Sequence, residues 1–161
     1  MYYLIFTIIK VLSYIPFWAL YVLSDIMYYP LYYIIRYRRK VVRKNLTESF
    51  PEKSHHEILA IEKNFYHYFM DMILESTKMA SISPDEIKKR MKFTNIKMTN
   101  DWLDQGKSVD YFMGHYCNWE WMTSIGLWIK DDVVCAQVYH KLINHTFDNI
   151  IKQMRERMGN I

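Results

Sequence analysis

The chain has 161 residues, of which 51% are hydrophobic, 17% aromatic and only 24% charged, with a formal net charge of +4. That length fits one domain with a real core, and the composition excludes a disordered or low-complexity protein. Cys117 and Cys135 lie eighteen residues apart without CxxC spacing, which argues against a disulfide framework or a zinc ribbon and fits a reducing compartment.

The charge is concentrated. Residues 1–35 hold one Lys and one Asp, whereas residues 36–44, RYRRKVVRK, hold six basic residues and no acid. The remainder carries 14 basic and 16 acidic residues, a net of −2. From Tyr2 to Ser24 the chain is apolar apart from Lys10. A helix of that length runs about 35 Å, enough to cross a bilayer with some tilt, and membrane helices tolerate a proline such as Pro16. After Asp25 the stretch IMYYPLYYII is too short to span, and Tyr28, Tyr29, Tyr32 and Tyr33 form the aromatic band expected at headgroup level. The basic block then reads as the cytoplasmic flank of a transmembrane helix under the positive-inside rule. A cleaved signal peptide is disfavoured, since no charged region precedes the apolar run and no small-x-small site follows it. The alternative is a buried helical hairpin, where Lys10 and Asp25 would be awkward. The chain thus divides into an anchor and interfacial segment, 1–35, and a domain, 36–161. Clustered cations beside a bilayer attract anionic lipid at about 1 kcal/mol each, although topology alone would also account for the block. Nucleic acid is not expected as a partner, because its binding domains rarely open on an apolar membrane-length segment.

Beyond residue 45, ESFPEKS is a turn, and Ser54 with Glu57 forms a capping box that opens a helix to about Ala80. Its apolar stripe is Ile58, Ile61, Phe65, Tyr68, Phe69, Met72, Ile73 and Met79. Ser83 caps a shorter helix with Pro84 at its first position, ending near Arg90. MKFTNIKM alternates like a strand, and NDWLDQG is a short helix stopped by Gly106. SVDYFMG is a strand, NWEWMTSIGLWI a helix and DVVCAQVY another strand. Asn144 caps a helix through about Met158, Gly159 ends it, and the final NI would begin a further strand. Strands alternating with helices predict an α/β layered domain with a largely parallel sheet.

In this layout YFMGHYCNWEWM places His115 at the carboxyl end of a strand, where open α/β sheets hold their ligands, and Glu120 in the first turn of the next helix. Asn118 would cap that helix, with free N–H groups nearby to stabilise an anion. The arrangement suits a general base with one imidazole nitrogen toward the substrate and the other donating to the carboxylate. No metal is expected: beyond the pair only Cys117, His140 and His145 are near in sequence, and nothing makes them converge. Cys117 reads as a small buried hydrophobe rather than a nucleophile.

The stretch GHYCNWE resembles the H-x4-D/E signature of lysophospholipid-type acyltransferases, most closely the lipid A late acyltransferases. The apolar start, VVRKNLTESFPEKS, the long helix with Phe65 and Glu75, and QVYHKLINHTFDNIIKQMRERMG resemble the same family in the same order. The resemblance implies a glycerol-3-phosphate acyltransferase-like domain, of which this chain is the N-terminal part, at the cytoplasmic face of a bacterial inner membrane. It implies acyl transfer from acyl-acyl carrier protein to a hydroxyl of a lipid A precursor, without a further cofactor. His115 would deprotonate the hydroxyl and Glu120 would orient His115. Arg155 or Arg157 would meet a lipid phosphate or developing charge, and Arg38, Arg39 and Arg43 of the basic block would engage the lipid phosphates. The alternatives are an acyltransferase acting on a glycerophospholipid or another lipid, and an inactive, truncated membrane-bound remnant. Asp110 departs from the pattern, since an apolar residue is expected inside that strand.

Overall fold

The computed structural model describes residues 2–130 and 132–159. It is 68% helical, and the described residues contain no strand or sheet, only an isolated bridge at Cys135. This overturns the expected α/β layered domain with its parallel sheet. Residues 91–98, expected as a strand, turn into helix from Ile96, and residues 108–114 and 132–139 run as irregular chain. Apolar alternation makes a sheet only when the backbone finds a ladder partner, and these segments leave Phe112 97% and Val138 102% exposed instead. Asp110 is exposed too, so its carboxylate is not a burial problem. The strand expected at residues 160–161 lies outside the described residues.

The expected membrane-spanning helix is also overturned. The apolar start forms two helices, α1 (Tyr2–Tyr14) and α2 (Phe17–Tyr29), and among the described residues no helix is long and apolar enough to cross a membrane. Pro16 is the cause: it has no N–H to donate into α1, and it disfavours helical backbone at Ile15. A continuous helix would give the Ser13 carbonyl to the amide of residue 17. It accepts instead from the Lys78 ammonium at 2.8 Å and the Ser81 hydroxyl at 2.9 Å, a cation suited to a helix C-terminus. α2 starts afresh on Pro16, whose carbonyl accepts from the amides of Ala19 and Leu20 at 3.0 Å.

The chain forms two compact units. One comprises residues 15–75: α2, a π-helical turn (Pro30–Ile35), α3 (Arg39–Ser49) and most of α4 (His55–Thr77). The expected capping box opens α4: the Glu57 carboxylate accepts from the Ser54 amide at 2.9 Å and from its hydroxyl at 2.8 Å. The buried face of α4 matches the expected stripe only in part: Phe69 packs against the core and Met79, just past the end of α4, is buried. Ile58 and Met72 are buried, but Phe65, Tyr68 and Ile73 are 38–45% exposed, and Ile58, Glu62, Tyr66, Met70 and Leu74 line the inside at steps of four. The core is Tyr28, Tyr32, Tyr66 and Met70, with Leu31, Val42 and Phe69 packed against it. Between the π-helical turn and α3, Arg36 and Arg38 both take left-handed backbone, with φ of 54° and 51°. Such a conformation costs about 1–2 kcal/mol for a residue with a Cβ.

The other unit holds residues 1–14 and 76–161: α1, a 3-10 turn (Lys78–Ala80), α5 (Pro84–Arg90), α6 (Ile96–Asp104), a 3-10 helix (Trp119–Trp128) and α7 (His145–Glu156). Its buried side chains include Met79, Ile82, Ile87, Trp121, Ile125, Ile150 and Met158. Three local readings of the sequence hold here. Ser83 accepts from the Glu86 amide at 3.2 Å, and Asn144 from the amides of Thr146 and Phe147 at 3.0 and 3.3 Å. Gly106, with φ of 72°, ends α6 two residues after Asp104.

Candidate active site

His115 lies in an irregular loop, exposed, in a bend between Gly114 and Cys117. Cys117 is exposed rather than buried, with a left-handed φ of 52°, and its carbonyl accepts from the Trp119 amide at 3.1 Å. The imidazole stands edge-on to Trp119 with ring centroids 4.9 Å apart. Asn118 precedes the 3-10 helix but its side chain does not cap it; its Oδ1 accepts from the Ser76 hydroxyl at 3.4 Å.

The helix bearing Glu120 is tight for a local reason. Thr123 donates to the Glu120 carbonyl at 2.7 Å and Ser124 to that of Trp121 at 2.6 Å, so both hydroxyls draw on carbonyls three residues back. Gly126 lets the helix approach the end of α7, since a Cβ there would stand 3.2 Å from the Met158 carbonyl oxygen. That approach brings Glu120 to α7. Arg155 grips its carboxylate with two bonds, Nε to Oε2 at 3.0 Å and Nη2 to Oε1 at 2.8 Å, both side chains mostly buried. The Arg155 guanidinium also stands over the Tyr139 ring, 5.2 Å from its centroid. The structure therefore joins Glu120 to Arg155, and records no hydrogen bond between Glu120 and His115. Arg157 turns elsewhere, donating to the carbonyls of Met79 and Ile82. Among the described residues no group of three His, Cys, Asp or Glu side chains is placed to hold a metal ion.

The family described as bacterial lipid A biosynthesis acyltransferase matches residues 1–160. The chain belongs to that family. No curated protein and no solved structure matches it.

Within this member of the acyltransferase family the basic block splits in two. Arg39 and Arg43 turn inward to Glu62, whose carboxylate is fully buried: Arg43 donates at 2.7 and 2.9 Å, Arg39 at 3.2 Å, and the Tyr32 hydroxyl at 2.9 Å. Burial pushes the Glu62 carboxyl up, but Arg43, Tyr32 and Arg39 outweigh it and hold the group below the ordinary glutamate range. Arg39 also stacks on the Tyr32 ring, 4.1 Å from its centroid. Arg38 stays exposed, and no hydrogen bond or ion pair engages its side chain among the described residues. Sequence reasoning missed Glu62 and Tyr139. Glu62 did leave a signal, an acid four residues after Ile58 and four before Tyr66 on the buried face of α4, following a run of unpaired cations. Tyr139 left none, because its place depends on how far residues 132–143 reach back toward α7.

Proposed function

We propose that this chain transfers a fatty acyl group from acyl-acyl carrier protein to a hydroxyl of a lipid A precursor at the cytoplasmic face of the inner membrane. The match to the family over residues 1–160 carries this reading. Exposure of His115, five residues before the ion-paired Glu120 in the sequence, supports it chemically.

His115 takes the acceptor hydroxyl proton as that oxygen attacks the thioester carbonyl. The carbon–sulfur bond breaks, and the carrier leaves as a thiol after taking up a proton. Glu120 supplies the negative charge that favours imidazolium, and contacts of this kind commonly tighten only when substrate is bound. Arg155 meets an anionic group of the substrate or the developing oxyanion, and Asn118 adds a polar contact. Arg38, with the neighbouring cations, meets lipid phosphate, whereas Arg39 and Arg43 serve through the position that Glu62 gives them.

Transfer of radiolabelled acyl groups from acyl carrier protein to lipid A precursors tests the proposal. Replacing His115 by Ala is expected to lower the rate by about 10²–10⁴-fold, the usual worth of a general base. Equal yields from wild type and His115→Ala would sink the assignment.

A further inference from the structure

We infer that the corner joining the π-helical turn to α3, residues 33–40, is a docking surface for an anionic lipid bilayer. Ile34 and Ile35 enter the acyl region there, and Arg36, Arg38 and Lys40 meet headgroup phosphates. The inference rests on the lipid reading above and deepens it by naming where the chain meets the membrane.

Ile34 and Ile35 are 78% and 65% exposed and lead directly into the exposed cations. Tyr33 and Tyr37, each about half exposed, flank them as amphipathic rings that favour the boundary between acyl chains and headgroups. No acidic residue occurs from position 26 to 47, so nothing in this stretch offsets the charge. The inward turn of Arg39 and Arg43 sorts the block, because Glu62 satisfies those two side chains and leaves the other cations outside. Among the described residues neither Arg38 nor Lys40 has a side-chain hydrogen bond or ion pair, and Arg36 donates only its Nε, to the Tyr33 carbonyl at 3.3 Å.

The corner is held in place from beneath. The Tyr66 hydroxyl donates to the Tyr37 carbonyl, the Tyr37 ring stacks on Phe69 with centroids 6.0 Å apart, and Arg39 donates to the Tyr32 carbonyl at 3.3 Å. Little ordering is then required on contact. The first turn of α3 carries cations and no acid, the reverse of what a helix dipole favours, and a phosphate layer in front of it corrects that mismatch. A nucleic acid would satisfy the cations but leave two adjacent isoleucines in water. A bilayer takes both.

The test is co-sedimentation of the full chain with vesicles of phosphatidylcholine, with and without phosphatidylglycerol. Three variants with wild-type circular dichroism are compared: Ile34→Ser/Ile35→Ser, Arg36→Gln/Arg38→Gln/Lys40→Gln, and Lys63→Gln, an exposed cation on α4. The inference expects binding to the anionic vesicles, falling at least tenfold in the isoleucine variant and about fivefold per cation removed in the basic variant, with Lys63→Gln unchanged. It is overturned by no binding, by equal binding to neutral vesicles, or by binding that survives both corner variants. Oligonucleotide binding that depends on the cations and not on the isoleucines, without vesicle binding, would point to a polyanion instead and also overturn it. A chain that docks as expected but transfers no acyl group defeats the transferase proposal alone. One that acylates a detergent-dispersed acceptor without docking defeats the docking alone.

Discussion

Glu120 and Arg155 stand 35 residues apart, yet meet with two short bonds in a site that water reaches only in part. A bidentate pair of this kind is stronger than a surface ion pair, because both partners keep their geometry and little solvent screens them. Removing one partner strands the other. Glu120→Gln and Arg155→Ala should each destabilise the unit containing α7, and a double-mutant cycle followed by urea unfolding should give a coupling of about 1–3 kcal/mol. A coupling near zero would mean that the pair is not formed in solution.

Helix starts were the most legible elements, and for a plain reason. A cap is written in three or four consecutive residues, so Ser54 with Glu57, Ser83 with Pro84, and Asn144 all act as their sequence implies. Strands were the least legible, since they exist only through a distant partner; MKFTNIKM spans about two helical turns, too short for its alternation to tell a strand from the approach to a helix. Of the candidate site, the place of Glu120 at the start of a helix could be read locally, whereas the strand expected to end at His115 does not form. The partner of Glu120 could not be read locally, because it depends on how α7 packs against the 3-10 helix. The tie between α3 and α4 makes a prediction of its own. Glu62→Gln should destabilise the unit by about 2 kcal/mol at neutral pH, less than for a wholly buried pair because the arginines can rehydrate. Because the folded carboxyl lies below its ordinary range, this stabilisation is present above the unfolded glutamate pKa and lost as pH falls through the folded one. Urea midpoints of wild type and variant should therefore converge on acidification; a gap that stays constant would contradict the account.

On the scale of the molecule, the division of the chain runs through both its most apolar segment and its longest helix. Pro16 separates α1 from α2, and α4 crosses from one unit into the other at Glu75. Composition reported the apolar start truthfully but not its use: what reads as one membrane-length run is spent on two helices with different packing partners. The +4 charge is likewise not a uniform field, because two of the six cations in the basic block are committed to Glu62.

The left-handed bend at Cys117 has a consequence for anyone handling the protein. It leaves that sulfur in solvent two residues from His115, while burial pushes the Cys135 thiol up and keeps it protonated to higher pH. Only the thiolate reacts with a maleimide, so at neutral pH one equivalent should label Cys117 well ahead of Cys135, as peptide mass mapping would show. Equal labelling would contradict the partial burial of Cys135. A fluorophore attached there would sit two residues from His115 and leave His115, Glu120 and Arg155 unchanged, so the proposed acyl transfer predicts that its emission shifts when acyl-acyl carrier protein is added.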